Sequence, residues 1–276
     1  MLSVLILTYN EERNLSACLE SVRWSDDVLV LDSFSADKTV EIAKAAGARV
    51  LQHRFVNFAE QRNFGIEQGG WKHEWILHLD ADEVVTRELH REMLSRIRDS
   101  EKDAYKLASK LVFENRWLRH SSLYPSYQVR LGRRDVLRFV QVGHGQRENL
   151  LPERLGTLNE ALLHYLFSKG MDDWMEKHER YSTDEARNFA ANLAGRPLDW
   201  RGLFSADVLR RRRALKHLSG RLPFRPAFRF IYMYFFRLGF LDGAPGFRYC
   251  RLLAIYESLI VQKIRQLRDK ERAMKK

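Results

Sequence analysis

The sequence predicts an α/β protein: a mostly parallel sheet with helices on both faces, followed by a helical C-terminal extension. In the first hundred or so residues, short apolar runs alternate with amphipathic segments of helical spacing. Each apolar run is followed by a cluster of polar residues, and the pattern becomes basic and aromatic after residue 195. Alternating strands and helices are typical of parallel sheets, because each crossover between parallel strands needs a covering helix. At 276 residues and 45% hydrophobic content, the chain can bury a substantial core.

The strands and helices follow from hydrophobic spacing. Short apolar runs predict strands at residues 3–7, 28–31, 48–52, 75–79, 104–112, 128–131 and 158–165. Helical spacing predicts helices at residues 15–22, 38–46, 59–68, 86–98, 172–193 and 247–267. Gly195 and Pro197 mark a break. We therefore predict one domain over residues 1–195, with halves 1–100 and 101–195, and an extension over 196–276.

The charge balance limits the partners of the chain. Its 47 Lys and Arg residues outnumber 36 Asp and Glu residues, giving a net charge of +11 that favours phosphates, nucleic acid or an anionic bilayer surface. Cys18 and Cys250 are far apart and form no CxxC pattern, so neither a disulfide framework nor a thiolate zinc site is indicated. This cysteine usage fits a reducing cytoplasm.

The sequence shows neither a signal peptide nor a membrane span. The apolar N-terminal run is short and meets Glu11 and Glu12, so it predicts a buried strand. The apolar stretch at residues 228–241 is interrupted by Arg229 and Arg237. It is also shorter than the roughly 20 residues that a spanning helix needs.

Polar clusters follow the predicted strands, where ligands bind in open α/β sheets. Asp80 and Asp82 come directly after the strand at 75–79. Such carboxylates suit Mg²⁺ or Mn²⁺, which keeps positions free for diphosphate oxygens. A solvated turn before a helix N-terminus, where acidic residues are also favoured, explains this motif equally well on its own.

The other clusters offer groups suited to a nucleotide. Asp32 can accept the imide N–H of a uracil ring, whereas Asp37 is better explained as a helix cap. Thr8, Tyr9 and Asn10 offer a hydroxyl, a stacking ring and an amide. Arg62, beside Asn63, offers a guanidinium for a diphosphate, although an arginine on a surface helix is usually only solvated.

The segments TYNEE, LDSFSADKT, QRNFG and LDADE, in this order, resemble family 2 inverting glycosyltransferases, which have the glycosyltransferase A fold. The resemblance implies that the first hundred residues bind a nucleotide diphosphate-sugar. Asp80 and Asp82 would form the DxD pair of the family, with Asp82 as the direct ligand of a divalent metal, Mn²⁺ or Mg²⁺. The remaining nucleotide-binding residues would be Thr8, Tyr9, Asn10, Glu11, Asp32 and Arg62, together with Asp80.

The later segments LYPSYQVRL, EKHERYSTDEA and FRLGFLDGAPGFRY resemble the branch containing lipopolysaccharide core β-1,4-glucosyltransferases. Inverting transfer needs a base for the acceptor hydroxyl. Many relatives carry a Glu-Asp or His-Glu pair, and the nearest segment here is VGHGQRENL. We predict Glu148 as the base and His144 as a phosphate or metal neighbour; a loop with merely local hydrogen bonds is the alternative.

Four further basic residues lie in the second half of the predicted domain. We assign a structural role to His164 and also to His178. Arg130, like Arg133, is predicted either to contact an acidic acceptor or to be an ordinary surface arginine.

The region from about 200 to 250 interleaves arginines with aromatic residues, as interfacial membrane segments do. Helices packed on the catalytic domain or a homodimer contact are the alternatives, and nucleic acid is less favoured because no recognisable module surrounds the segment.

The function we predict is a metal-dependent glycosyltransferase at the inner face of the cytoplasmic membrane. It would pass a sugar from a nucleotide diphosphate-sugar, with a UDP-sugar favoured, to a lipid-linked or lipopolysaccharide-core acceptor. The alternatives are a nucleotidyltransferase acting on sugar phosphates and a non-catalytic nucleotide- or membrane-binding module. Dehydrogenases and P-loop proteins are disfavoured because neither GxGxxG nor GxxxxGK[ST] follows a predicted strand.

Overall fold

A computed structural model describes residues 1–98, 100–142, 145–193, 197–207, 210–211, 214, 218 and 224–274. The chain forms two compact units, Met1–Gly170 and Met171–Lys276. The division therefore lies before the helix at Met171–Leu193, whereas the sequence places it near residue 195. The reason is packing, because this helix shares an apolar core with the last helix of the chain. The functional roles assigned to the two domains stay predictions.

The first unit is built on one large mixed sheet and a separate hairpin. Its strands are β1 (Ser3–Thr8), β2 (Val28–Asp32), β3 (Arg49–Gln52), β4 (Trp75–Asp80), β5 (Glu83–Val84), β6 (Ala104–Phe113), β7 (Arg116–Trp117), β8 (Tyr127–Arg133), β9 (Phe139–Val142), β10 (Gly145–Glu148) and β11 (Leu155–His164). The sheet order is β3-β2-β1-β4-β8-β6-β11-β5, with β7 on β6, and β9 pairs with β10.

The predicted parallel half of the sheet is confirmed. β1 lies between β2 and β4 and is parallel to both, and β2 is also parallel to β3. The second half is mixed, because β8 runs antiparallel to both of its neighbours, β4 and β6, while β6 and β11 are parallel. The longer strands lie where the hydrophobic spacing predicts them, whereas β5, β7, β9 and β10 are not predicted by it.

In the first unit, helices cover both faces of the sheet. They are α1 (Leu15–Ser21), α2 (Thr39–Ala45), α3 (Phe58–Gln68) and α4 (Arg87–Ile97). The second unit contains α5 (Met171–Leu193), α6 (Trp200–Leu203), α7 (Arg225–Ile231) and α8 (Gly243–Met274). α3 and α4 begin at capping side chains, since Asn57 accepts the Glu60 N–H and Thr86 accepts the Leu89 N–H. A cap oxygen satisfies an N–H that the first helical turn would otherwise leave unpaired.

Two apolar layers sandwich the sheet. Val4 and Ile6 of β1 face one layer, which contains residues of α1, α2 and α4. Leu5 and Leu7 face the other, which contains Ile66 of α3. All six residues of β1 are buried, so the continuous apolar run of this strand reflects cover on both faces.

The second unit has its own small core. Ala186 and Phe189 of α5 pack against Ile260 and Ile264 of α8. Among the helices that the structure describes, none combines the length and apolar content needed to cross a bilayer.

Candidate active site

The strand register brings three predicted site residues to one edge of the sheet. Thr8 at the end of β1 pairs with Asp32 at the end of β2. On the other side of β1, Leu7 pairs with Asp80 at the end of β4. Because the three strands are parallel, their carboxyl ends lie side by side, and the loops that follow them share one rim.

Asp32 is fully buried and organises the loops at this rim. Its carboxylate accepts hydrogen bonds from the Thr8 hydroxyl at 3.0 Å, the Ser35 N–H at 2.9 Å and the Gln52 amide at 3.0 Å, as well as from the Ser35 hydroxyl. These donors come from the protein, and the predicted contact of Asp32 with a nucleotide base stays a prediction. Thr8 is likewise buried and donates to Asp32.

The loop after β1 both donates hydrogen bonds to the loop after β2 and accepts hydrogen bonds from it. The Asn10 N–H donates to the Ser35 hydroxyl at 2.8 Å, and the Asn10 side-chain oxygen accepts the Ala36 N–H at 2.8 Å. Asp37 accepts the Thr39 N–H at 3.0 Å in the first turn of α2, which is the capping role that the sequence favoured for it. Tyr9 is 57% exposed between these ties, so its ring is accessible for stacking.

Asp80 lies at the centre of a buried network of charges. Arg62 Nη2 donates to Asp80 Oδ1 at 2.7 Å, and Arg130 Nη2 donates to Asp80 Oδ2 at 2.8 Å. The same Arg130 nitrogen lies 2.8 Å from Glu83 Oε1, and Glu83 Oε2 accepts the Asp80 N–H at 2.9 Å. Asp80, Glu83, Arg62 and Arg130 are called the charge network below.

The charge network changes the interpretation of Arg130 and gives Arg62 a partner within the protein. Arg130 is neither a surface residue nor directed at an acceptor, because it is buried on β8 and paired with two carboxylates. Arg62, expected at the diphosphate, is 1% exposed and has Asp80 as its partner.

The network shifts the acid–base behaviour of its members. Burial by itself would raise the pKa of Asp80, but Arg130 and Arg62 hold that pKa well below its usual range. Burial raises the pKa of Glu83, although Arg130 opposes the change. Burial lowers the pKa of Arg62 to about 10 despite the attraction of Asp80. His78 on β4 is buried beside both arginines, and burial together with their charge lowers its pKa, which favours the neutral imidazole.

Asp82 is paired with a histidine from the far end of the unit. His164 Nε2, at the end of β11, lies 3.3 Å from Asp82 Oδ2, and the Tyr165 N–H donates to the Asp82 carbonyl at 2.9 Å. Burial alone would lower the pKa of His164, but Asp82, Glu83 and Asp80 outweigh it and raise that pKa to about 9. The surroundings of His164 therefore favour a positive charge, which the structural role assigned from sequence did not anticipate. His178 lies elsewhere, in α5, with Nδ1 2.8 Å from the Trp174 carbonyl oxygen.

Lys169, which no sequence pattern indicated as a site residue, joins the loop after β11 to the loop after β1. Its ammonium lies 2.5 Å from Glu11 Oε1 and donates to the Tyr9 carbonyl at 3.0 Å. Burial raises the pKa of Glu11, and Lys169 and Asn14 partly offset that rise. A lone lysine more than 150 residues from Glu11 carries no local signal that could have identified it.

The predicted base lies on the β9–β10 hairpin. Glu148 pairs with Phe139 across the hairpin, and Asn63 of α3 holds Phe139 through two 2.9 Å hydrogen bonds to its N–H and carbonyl. The Phe139 ring lies 6.0 Å from the Arg62 guanidinium and 5.2 Å from the His78 ring. The hairpin thus packs against Arg62 and His78 through Phe139, and Glu148 is the residue paired with Phe139 on the other strand. His144 lies outside the described residues.

Asp82 and His164 are the side chains best suited to hold a divalent cation. Two donors in adjacent positions around Mg²⁺ or Mn²⁺ lie about 3 Å apart, close to the spacing of this pair. Carboxylate oxygen and imidazole nitrogen are both ordinary ligands of Mn²⁺. Within the described ranges no group of three or more His, Cys, Asp or Glu side chains is arranged to hold a metal. The protein would therefore provide two donors, and a diphosphate and water would provide the rest.

The parallel strands and the polar rim at their carboxyl ends define an α/β protein with an acidic centre at one edge of the sheet. The family model for glycosyl transferase family 2 matches residues 3–148, which include β1 to β10. The chain belongs to this family and is a glycosyltransferase, and its architecture is the glycosyltransferase A fold that the resemblance implied. Membership decides against the nucleotidyltransferase and non-catalytic alternatives.

Known proteins similar to this chain carry the same class name. An uncharacterized glycosyltransferase of Rickettsia bellii is 28% identical over 68% of this chain and 67% of its own length. The lipopolysaccharide core biosynthesis glycosyltransferase LpsC of Rhizobium meliloti is 26% identical over 67% of this chain and 70% of its own length. A solved mannosyltransferase from Pyrobaculum calidifontis, in complex with GDP-Man and Mn²⁺, is 15% identical with a TM-score of 0.49, covering 95% of this chain and 86% of that one.

Proposed function

We propose that this glycosyltransferase moves a sugar from a nucleotide diphosphate-sugar, with a UDP-sugar favoured, to a lipid-linked or lipopolysaccharide-core acceptor. The observation that carries the donor assignment is the shared rim. Tyr9 is exposed in the loop after β1, and the Asp80–Asp82 segment forms the end of the neighbouring strand β4 and the turn after it. A base stacked on Tyr9 would leave its diphosphate near these carboxylates. The similarity to LpsC supports the acceptor class.

A divalent metal, Mn²⁺ or Mg²⁺, fits between the carboxylates and the diphosphate. Asp82 would hold it, with His164 as the second protein donor. A bound divalent cation would neutralise charge on the departing nucleoside diphosphate. The raised pKa of His164, which Asp82, Glu83 and Asp80 cause, supports a site that favours positive charge.

The charge network would hold Asp80 and complete the anion site. Arg62 Nε and Nη1 and Arg130 Nε and Nη1 are buried, and the described part of the chain offers them no acceptor. Buried donors normally have a partner, so an additional acceptor at this point is expected. The diphosphate of the donor is the group whose charge best matches two guanidiniums.

The stereochemical course is proposed to be inversion, with Glu148 as the base. In an inverting transfer, the acceptor hydroxyl loses its proton as its oxygen attacks the anomeric carbon opposite the leaving phosphate. Glu148 pairs across the hairpin with Phe139, whose ring lies 6.0 Å from the Arg62 guanidinium, and this supports the assignment. The acceptor would approach from this hairpin, and the enzyme would work at the inner face of the cytoplasmic membrane.

The test compares nucleotide binding and turnover in matched variants. In Asp82→Asn, calorimetry should show Mn²⁺-dependent UDP binding weakened at least about tenfold, and release of nucleoside diphosphate from UDP-sugar should fall about 100-fold or more, because one carboxylate ligand is lost. Glu148→Gln should keep UDP binding and lose transfer. Asp135→Asn, an exposed carboxylate away from the rim, serves as the control and should change neither.

Two outcomes decide against the proposal. If Asp82→Asn binds UDP and Mn²⁺ as the unmodified protein does, the metal assignment is wrong. If no nucleoside diphosphate-sugar is bound or turned over by the unmodified protein, the donor assignment is wrong.

A further inference from the structure

The second unit exposes an apolar surface on a helix that is otherwise well packed. Exposed large side chains recur every three or four residues along α7 and the π-helical turn at Tyr232–Phe236, so they share one face. Phe235 is 54% exposed and Phe236 is 77% exposed. We call this face the aromatic surface; its residues are Phe224, Phe228, Ile231, Tyr232, Phe235 and Phe236.

The opposite side of the same segment is fixed against α8. Met233 is fully buried, and the rings of Phe230 and Tyr234 lie 5.8 Å and 5.6 Å from the ring of Phe247. The segment is thus apolar on both sides, with one side buried in the unit and the other exposed. A helix on the surface of a water-soluble domain normally turns polar residues outward, and an exposed apolar face of this kind indicates an interaction site.

The positive charges in the same segment favour an anionic partner for the aromatic surface. Residues 224–251 contain five arginines, at 225, 229, 237, 248 and 251, and one acidic residue, Asp242, which is buried. Arg225 is paired with Glu257 at 2.7 Å, so its charge is compensated within the unit. Arg248 and Arg251 are exposed in the first turns of α8. Exposed apolar side chains in an arginine-rich segment match the headgroup region of an anionic bilayer, where aromatic rings enter the interface and guanidiniums meet lipid phosphates.

The same charges disfavour a second copy of this chain as the partner. A two-fold contact sets each surface against itself, so arginines would face arginines with no exposed carboxylate from this segment between them. A bilayer with anionic lipids has no such penalty.

We propose that the aromatic surface docks this glycosyltransferase onto anionic phospholipid, with Phe235 and Phe236 entering the headgroup region and Arg248 and Arg251 pairing with lipid phosphates. The docking extends the proposed membrane location by assigning it to particular side chains. It needs no donor or acceptor, so a failure of the proposed reaction leaves it standing.

The experiment measures binding of the full chain to vesicles by co-sedimentation, without nucleotide. Binding is expected to vesicles of phosphatidylcholine mixed with phosphatidylglycerol, to be much weaker with phosphatidylcholine alone, and to fall as salt rises, because salt screens the attraction. Phe235→Ser combined with Phe236→Ser should weaken binding about tenfold or more, since two large apolar groups no longer enter the interface. Arg248→Ala combined with Arg251→Ala should weaken it roughly fivefold for each arginine.

The matched control is Leu151→Ser, which removes a 64% exposed apolar side chain from the first unit and should leave vesicle binding unchanged. Circular dichroism of each variant verifies folding, and a variant that unfolds is replaced by Phe228→Ser or Arg251→Gln. The proposal is overturned if the unmodified chain does not sediment with anionic vesicles, or if Leu151→Ser loses binding equally. It is also overturned if the aromatic variant leaves vesicle binding intact but abolishes a dimer in sedimentation velocity or binding to single-stranded DNA.

Discussion

Asp80 shows how a carboxylate can be held ionised in a largely buried position. Two guanidiniums donate to its two oxygens, and its own backbone N–H donates to Glu83. Removing one partner from such a group is costly, because the remaining charge keeps its desolvation penalty and loses its compensation. The charge network is therefore expected to contribute to folding as well as to the site.

Arg130→Met tests this at the residue scale. The substitution keeps the side-chain length but leaves Asp80 with one guanidinium and Glu83 with none from this network. We expect a loss of about 3 kcal/mol in the free energy of unfolding, the lower end of the range for broken buried pairs, because Asp80 is a third exposed to water. Urea unfolding measures the loss. Arg23→Met, which breaks an exposed pair with Glu20, should cost less than about 1 kcal/mol.

An equal, small loss in both arginine variants would contradict this account of the charge network. A large loss in Arg130→Met alone, with nucleotide binding retained, would separate its structural contribution from its role at the anion site.

At the scale of elements, the Asp27 carboxylate joins three segments at the edge of the sheet opposite the site. Asp27 precedes β2, and its carboxylate accepts the N–H of Lys72, which precedes β4, at 2.8 Å. The same carboxylate accepts the Ser3 hydroxyl of β1 at 2.5 Å. Arg49 Nη2 of β3 lies 2.7 Å from its Oδ1. Burial alone would raise the pKa of Asp27, but these donors outweigh it and lower the pKa. Asp27 thus stabilises the start of the parallel strands.

Asp27→Asn should destabilise the fold in a pH-dependent way. At pH 7 we expect a loss of about 1–3 kcal/mol, because buried donors lose a charged acceptor. Because the pKa of Asp27 is lower in the folded state than in the unfolded state, its contribution to the free energy of unfolding is complete above the unfolded pKa of about 4. This contribution is lost as the pH falls through the pKa of the folded state. The difference between the two proteins should therefore shrink below about pH 4. Urea unfolding from pH 7 to pH 3 measures it, and a pH-independent difference would refute the assignment.

Helices and strands with a regular apolar spacing were predicted from the sequence, and those without such a spacing were not. β1 and α4 carry apolar residues at the spacing of their own geometry, so each could be read from its own residues. The hairpin β9–β10 has no such pattern: Val140 and Gln141 are exposed, and its position depends on Asn63 of α3. Its pairing is decided by a distant helix, which periodicity does not show.

At the scale of the whole molecule, two compact units each contain an apolar core of their own. Ile260 is buried in the core of the second unit and Leu77 in that of the first. A cavity made in one core removes contacts from that unit alone. The loss of stability should therefore be confined to the unit that carries the substitution.

Ile260→Ala and Leu77→Ala form a matched pair for this prediction. Each should lower the stability of its unit by about 2–5 kcal/mol through lost burial and the cavity left behind. Hydrogen exchange followed by mass spectrometry should show faster exchange within residues 171–274 for Ile260→Ala and within residues 1–170 for Leu77→Ala. Faster exchange in both units from either substitution would show that they unfold as one.

The sequence by itself determined the alternating strands and helices, the glycosyltransferase family and the carboxylates at the end of β4, because these depend on residues close together along the chain. Tertiary structure alone decided the partners of those carboxylates. Arg130 reaches Asp80 because β8 runs antiparallel beside β4, and His164 reaches Asp82 because β11 ends where β5 begins its pairing. Contacts between segments 50 and 82 residues apart depend on sheet order, which no local spacing encodes.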